Sequence, residues 1–236
     1  MKTYSLNRSQ WLFVFLAGLF VTNAVTAELI SNKLIEIPLV FDVFGTEIGP
    51  FVTIVGILPW PVVFLLTDLL NEFYGYKAVK NLSWITAILI AYCFIIVGIS
   101  MEIPAFEIEG SNLSDDEAYN KVFGQAQMVI VGSICAFLVS QLLDAFLFSW
   151  IKSKTGSRYI WLRSTGSTVF SQLIDSYIVL YIGFVLPGSL SFADFMSIAP
   201  TNYVLKLVIA ILLTPLIYLG HYIIRKFVLN QKSEVR

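Results

Sequence analysis

The sequences S-Q-L-L-D at residues 140–144 and S-Q-L-I-D at residues 171–175 are two copies of one motif, each inside an apolar stretch long enough to cross a membrane. A carboxylate at the centre of a membrane helix costs about 2.5 to 3.5 kcal/mol on insertion scales, so it is rarely present without a function or a partner. This chain places one there twice, three residues after a glutamine each time. The repeat therefore predicts a site that holds a polar group within the bilayer.

The composition supports a polytopic membrane protein. The 236 residues are 57% hydrophobic and 13% charged, and the mean hydropathy is +0.80. Soluble domains contain about 25% charged residues, so a soluble protein is excluded. Cys93 and Cys135 both lie in apolar stretches, and the sequence has neither metal-ligand spacing nor a nucleotide-binding G-x-x-x-x-G-K-[ST] pattern. We therefore predict no metal site and no cofactor.

Six apolar segments form a single predicted domain, residues 1–236, of the all-α membrane class. They cover residues 10–29, 51–74, 82–101, 125–151, 166–187 and 203–224. Twelve of the 15 Lys and Arg residues lie on one side of these segments, and only Lys33, Lys121 and Lys206 fall on the other. The positive-inside rule then places both termini in the cytoplasm. A cleaved signal peptide ending near Ala27 is the alternative, but the uncharged stretch is longer than a signal peptide needs, and this favours a retained helix.

The segment before the second helix is irregular. Residues 36–58 mix Pro and Gly with Val, Ile and Phe, and P-W-P at 59–61 is typical of a helix start. The second helix is therefore predicted from about Pro61 to Tyr74, after an extended or re-entrant segment on the outer face. The acidic loop 102–124 contains S-D-D-E at 114–117, which has the pattern of a capping box at a helix start.

The two motifs are predicted to face each other. The fourth and fifth segments form an antiparallel hairpin around a basic turn centred near Ser157, so residues equally far from that centre lie at similar depth. Asp144 then faces Ser171, and Asp175 faces Ser140, with the two glutamines between them. This is a local two-fold arrangement of the kind that surrounds many transporter sites.

A third polar group lies in the second segment, where Asp68 is followed one turn later by Glu72. Lys206 is the predicted counter-charge for the intramembrane carboxylates. Carboxylates and amides surrounded by aromatic rings suit a flat heterocycle with a guanine-like edge, and Tyr177 or Trp84 is expected to stack on its face. The alternative is that these groups only join helices, although such hydrogen bonds average about 0.6 kcal/mol and do not require ionisable side chains.

Several stretches resemble the queuosine precursor transporter family, also grouped as vitamin uptake transporters. They are P-V-V-F-L-L-T-D-L at 61–69, Y-G at 74–75, Q-L-L-D at 141–144, W-L-R at 161–163, S-T at 167–168, Asp175, the Tyr203 and Lys206 start of the sixth segment, and N-K-L at 32–34 with Pro38. The resemblance implies an inner-membrane, multi-pass importer of 7-deazaguanines such as 7-cyano- or 7-aminomethyl-7-deazaguanine, which feed queuosine modification of tRNA. With Gln172 added from the repeat, the predicted substrate-binding residues are Asn32, Asp68, Gln141, Asp144, Gln172, Asp175 and Lys206.

Other functions are weighed against this one. A substrate-binding subunit of an energy-coupled importer would need an ATPase partner, but the first segment has no A-x-x-x-A docking pattern, and this favours a stand-alone transporter. An aspartyl protease dyad would need glycine-rich G-x-G-D contexts that neither motif has, so no enzyme is predicted. The predicted partners are a planar purine analogue and the lipid bilayer, not nucleic acid. A homo-oligomer, an energising partner and proton coupling stay open.

Overall fold

Helices form most of this computed structural model, which describes residues 5–31, 33–43, 46–106, 115–124, 127–156 and 158–229. The helices are α1 (Arg8–Leu29), α2 (Trp60–Tyr74), α3 (Tyr76–Met101), α4 (Asp116–Phe123), α5 (Gln127–Thr155), α6 (Ile160–Leu180) and α7 (Phe192–Ile223). Within the described residues, six helical segments are long and apolar enough to cross a membrane. The prediction of an all-α membrane protein with six spans is therefore confirmed, and the orientation of the termini stays a prediction.

Capping residues set where helices begin, and they explain the largest boundary difference. Asn7 and Gln10 form a capping box at the start of α1. The Ser191 hydroxyl accepts a hydrogen bond from the Asp194 N–H at 3.1 Å, so α7 begins at Phe192 rather than near residue 203. A run of apolar residues identifies the part of a helix that lies inside the membrane. The capping residue identifies where the helix begins. The first turns of α7 interrupt their apolar residues with Asp194, Ser197, Pro200, Thr201 and Asn202, and the hydropathy pattern therefore missed them.

The segment before α2 is extended, as predicted, and its strands pair with one another. Its strands are β1 (Leu34–Ile37), β2 (Phe41–Val43), β3 (Thr46–Ile48) and β4 (Phe51–Ile54), with β1 antiparallel to β4 and β2 antiparallel to β3. A 3₁₀ turn, Val55–Ile57, leads into α2. Pairing satisfies, without a helix, the backbone N–H and C=O groups by which β1 and β4 face each other. Phe51 is 1% exposed and packs with Ile57 and Leu205, which fixes β4 against α7.

The pair α5 and α6 is the scaffold for both motifs. The backbones meet closely where Gly132 of α5 faces Gly183 in the π-helical turn that follows α6, because a Cβ on Gly132 would lie 2.8 Å from the Gly183 nitrogen. Small residues allow such close helix contact in membranes. The two helices run antiparallel, as predicted. Ser157, the predicted centre of their turn, lies outside the described residues.

Candidate functional site: a polar pocket beside the strands

A pocket lies between α1, α2, α5, α6 and α7 at the end of the bundle that carries the strands. Strand β4 and the turn after it form one wall, through Thr53, Ile54 and Ile57. The other polar side chains that line it among the described residues are Glu28, Ser31, Ser133, Ser140, Gln141, Asp175, Asn202 and Lys206. Three of the predicted substrate-binding residues, Gln141, Asp175 and Lys206, therefore share one pocket.

An ion pair between α6 and α7 lies at the centre of this pocket. The Lys206 ammonium is 2.5 Å from Asp175 Oδ2, and the Ser140 hydroxyl donates to Asp175 Oδ1 at 3.1 Å. The side chains of Lys206 and Asp175 are 23% and 19% exposed, so the pair is reachable from the pocket. Each carboxylate oxygen of Asp175 therefore has a partner within the protein. The sequence predicted Lys206 as a counter-charge, and the structure shows that its partner is Asp175.

Gln141 joins the pocket to α2. Its amide donates to the Thr67 hydroxyl at 2.5 Å, and that hydroxyl donates in turn to the Val63 carbonyl at 2.9 Å. Thr67 adjoins Asp68 in the sequence. The contact orients the Gln141 amide, because one of its two N–H groups already has an acceptor.

Aromatic rings form the apolar wall. Trp60 stacks on Phe64 at a centroid distance of 6.0 Å and lies 5.8 Å from Phe137, and all three residues line the pocket. Tyr177 and Trp84, the rings expected to stack on a ligand, do not line this pocket. Tyr177 packs edge-on against Phe195 of α7, and Trp84 is 47% exposed on α3. The P-W-P sequence that starts α2 was the signal for the observed wall, since it places Trp60 in the first helical turn.

The aspartate of the first motif lies outside the pocket. Asp144 Oδ1 accepts hydrogen bonds from Ser167 at 3.0 Å, Ser171 at 3.0 Å and Thr168 at 3.3 Å, all on α6. Asp144 is 6% exposed and does not line the pocket. The predicted facing of Asp144 with Ser171, and of Asp175 with Ser140, is present in the structure.

Asp68 and Gln172 are also buried outside the pocket. Both are 3% exposed, and the Ser164 hydroxyl donates to Asp68 Oδ2. Asp68 Oδ1 and Gln172 Oε1 have no hydrogen-bond partner among the described residues. Within that same part of the chain, neither Asp68 nor Asp144 forms an ion pair. Asn32, the remaining predicted residue, lies outside the residues that the structure describes.

The opposite end of the bundle carries an ionic cluster. Glu72 lies 2.8 Å from Arg163 and 3.1 Å from Lys152, and His221 is 3.6 Å away. Arg163 is fully buried and donates to the Gly156 carbonyl at 2.9 Å. The cluster therefore joins α2, α5, α6 and α7. The pattern W-L-R at 161–163, an arginine at the edge of an apolar run, was the sequence signal for Arg163.

Glu28, in the last turn of α1, is the pocket residue that sequence reasoning missed. It is 3% exposed, and the Ser133 hydroxyl lies 2.7 and 2.6 Å from its two carboxylate oxygens. Its position within the first apolar segment was a usable signal, because a carboxylate there is costly. In the described residues, no group of three or more His, Cys, Asp or Glu side chains is arranged to hold a metal ion.

Comparison with known proteins gives one family match and several named relatives. Residues 54–220 match the family described as putative vitamin uptake transporter. A probable queuosine precursor transporter of Bacillus subtilis (strain 168) is 31% identical over 167 residues, 69% of each chain. The queuosine precursor transporter of Escherichia coli (strain K12) is 26% identical over 202 residues, 84% of this chain and 81% of that one.

A third relative, a probable queuosine precursor transporter of Haemophilus influenzae (strain ATCC 51907 / DSM 11121 / KW20 / Rd), is 24% identical over 193 residues, 78% of this chain and 76% of its own. No solved structure matches the fold. These relatives confirm the resemblance drawn from the sequence. They are named as transporters, which also confirms the expectation that the chain is not an enzyme.

Proposed function

The chain belongs to the family of putative vitamin uptake transporters, and from that premise we propose that it imports queuosine precursors across the inner membrane. The substrates we propose are 7-cyano- and 7-aminomethyl-7-deazaguanine. Three named relatives carry the queuosine precursor transporter function in their names, and this supports the substrate class. The base binds in the pocket between α1, α2, α5, α6 and α7, in contact with Gln141, Asp175 and Lys206.

The observation that carries this proposal is the chemical match between the pocket and a guanine-like base. Such a base presents a carbonyl oxygen beside two kinds of N–H donor along one edge. Lys206 supplies donors for a carbonyl, whereas Asp175 and the Gln141 oxygen supply acceptors for N–H groups. The Trp60, Phe64 and Phe137 rings offer flat apolar surface for the faces of the base. Ionisable side chains inside a membrane protein mark a functional position by default, and aromatic rings beside them suit a planar ligand.

The buried part of the predicted constellation has a supporting role in this proposal. Asp68, Asp144 and Gln172 lie behind the pocket wall, and the α6 hydroxyls that bind the two carboxylates join α2 and α5 to α6. Movement of a base past this layer requires these helices to separate. The cluster around Glu72 closes the opposite end of the same helices, so it is the second contact that must open during transport.

Binding of 7-cyano-7-deazaguanine to the purified protein, measured by calorimetry, tests the proposal. We expect saturable binding that Asp175→Asn weakens by about tenfold or more, because the substitution leaves Lys206 without its partner. Asp194→Asn is the matched control, since Asp194 is exposed in the first turn of α7 and lies outside the pocket. Folded, monodisperse wild-type protein that binds no 7-deazaguanine would contradict the proposal. Uptake by proteoliposomes that contain only this chain would also show that no energising subunit is needed.

A further inference from the structure

Two buried carboxylates outside the pocket, Asp68 of α2 and Asp144 of α5, have surroundings that require an explanation. They are 3% and 6% exposed, and neither forms an ion pair among the described residues. They also act on each other, because the charge of Asp144 repels that of Asp68. A buried carboxylate in a membrane protein is expensive, and two that repel each other are more so. Amides would join the same helices without this repulsion.

The hydrogen bonds to the two carboxylates are unequal. Asp144 Oδ1 accepts from three hydroxyls of α6, at 3.0, 3.0 and 3.3 Å, and these bonds stabilise its negative charge. Within the described part of the chain, Asp68 accepts one hydrogen bond, from Ser164 to Oδ2, and its buried Oδ1 has no partner. A proton on Oδ1 would therefore displace no donor, and it would end the repulsion between the two acids. Asp68 is the carboxylate of this pair that is suited to bind a proton.

The other charges around Asp68 leave this assignment in place. Glu72, one turn along α2, repels its charge, and Arg163 of α6 attracts it. Arg163 lies 2.8 Å from Glu72, so its charge acts on both acids. On the helices that pack against α2, the charged or titratable groups with other contacts are Lys152 and His221 at Glu72, Lys206 at Asp175 and Glu28 at Ser133. The remaining charged side chains of α1, α3, α5 and α7 are exposed.

Hydrogen bonds connect this carboxylate to the pocket. Gln141 lines the pocket and donates to the Thr67 hydroxyl at 2.5 Å, and Thr67 adjoins Asp68 in α2. One turn further along α2, the Asn71 amide donates to the Ala145 carbonyl of α5 at 2.8 Å. Contacts on both sides of Asp68 therefore hold α2 against α5. A base that contacts Gln141 acts on the same turn of α2 whose charge a proton would remove.

We propose, on the basis of the proposed function, that Asp68 is a proton-binding site and that the chain imports each base together with one proton. The proton binds to Asp68 Oδ1 while the pocket is open to the outside. With Asp68 neutral, α2 moves relative to α5 and α6 without carrying an unpaired charge through the apolar interior. The proton then leaves on the cytoplasmic side, where its release restores the carboxylate for the next cycle. The proton gradient is therefore the driving force.

Uptake of a neutral base by proteoliposomes tests this. 7-Cyano-7-deazaguanine carries no charge at neutral pH, so a pH difference acts on its uptake through the protein. With the membrane potential held at zero, we expect the wild type to accumulate the base about tenfold for each unit by which the outside is more acidic, the value for one proton per base. A protonophore should abolish the accumulation and leave the exchange of labelled for unlabelled base intact.

Two variants assign the proton to one aspartate. Asp68→Asn keeps the size of the side chain but cannot take up a proton, so it should accumulate no base while its exchange rate stays within about threefold of the wild type. Asp144→Asn keeps Asp68 and should still accumulate the base under the same pH difference. Asp194→Asn, which changes an exposed carboxylate in the first turn of α7, is the matched control and should behave as the wild type.

The outcomes separate the two proposals. A wild type that exchanges the base but does not accumulate it under a pH difference overturns proton coupling and leaves the proposed function intact. A wild type that neither binds nor exchanges the base overturns the proposed function, and the proton site falls with it. Accumulation that survives in Asp68→Asn overturns the assignment to Asp68. Where Asp68→Asn does not fold, Asp144→Asn decides, because loss of accumulation with exchange retained in that variant would assign the proton to Asp144 instead.

Discussion

Asp144 and Asp175 end two copies of the same motif on neighbouring antiparallel helices, yet their surroundings differ in almost every respect. Asp175 lines a pocket, is 19% exposed and pairs with the Lys206 ammonium. Asp144 is 6% exposed and accepts hydrogen bonds from three neutral hydroxyls. The serines of the two motifs differ in the same way. Ser140 lines the pocket, whereas Ser171 is fully buried outside it. One end of the helix pair therefore lines the pocket that we propose binds the base, and the other joins helices.

The motif determines which serine and aspartate form a hydrogen bond. The helix packed beside each aspartate determines whether that aspartate has a cation as a partner. In both copies, the serine of one helix donates to the aspartate of the other, as an antiparallel two-fold pair requires. The symmetry ends with the third helix in contact. Around Asp175 it is α7, which brings the cation Lys206, whereas at the buried end it is α2, whose Asp68 accepts a hydrogen bond from Ser164 of α6. Four variant pairs test this division.

The largest expected difference is between Asp175→Asn and Asp144→Asn. The first removes the partner of the pocket cation and should weaken the binding of 7-cyano-7-deazaguanine by about tenfold or more. The second changes a carboxylate behind the pocket wall, so the affinity of the protein that remains folded should stay within about threefold. Calorimetry on monodisperse samples of both variants measures this. Equal losses in the two variants would mean that both aspartates contact the ligand, as the sequence alone predicted.

A double-mutant cycle sharpens the same comparison. Removing Asp175 and Lys206 singly leaves one charge without its partner, so the double variant should be more stable than the two single effects predict, by a coupling of about 1 to 2 kcal/mol. The pair Asp144 and Lys206 makes no contact and should couple by less than about 0.5 kcal/mol. The free energy of unfolding in mixed detergent micelles provides the measurement. A coupling of similar size in both cycles would show that the two aspartates share one electrostatic environment.

The serines give a smaller effect on stability. Ser171→Ala removes one of three donors to a buried carboxylate, and we expect a loss of about 0.6 to 1.7 kcal/mol, the range found for hydrogen bonds between membrane helices. Ser140→Ala should cost less than about 0.5 kcal/mol, since Asp175 keeps its ion pair and is partly exposed to solvent. Unfolding in mixed micelles measures both. A larger loss for Ser140→Ala than for Ser171→Ala would contradict the assignment of the buried end as the structural one.

The sequence predicted the spans, the facing of the motifs and three of the pocket residues, because each depends on a local pattern. Hydrophobic length identifies a span, and the spacing from the turn identifies which residues of α5 and α6 share a depth. The sequence did not predict which aspartate Lys206 binds, which aromatic rings line the pocket, or that Glu28 belongs there. Each of these depends on how α1, α2 and α7 pack around the helix pair. That packing brings together residues far apart in the chain, such as Glu28 and Ser133.

The smallest effect, and the one whose sign is most informative, concerns the two glutamines. Gln141 lines the pocket and donates to Thr67, so Gln141→Leu should weaken ligand binding by about three- to tenfold. Gln172 is buried outside the pocket, and its Oε1 has no partner among the described residues. Replacing a buried, unsatisfied polar group with an apolar one of similar size is neutral or stabilising, so Gln172→Leu should leave binding unchanged and raise the apparent melting temperature slightly. Because the two substitutions are chemically identical and occupy equivalent positions in the repeat, a loss of binding in Gln172→Leu would place the second glutamine in the site and restore the symmetry that the structure breaks.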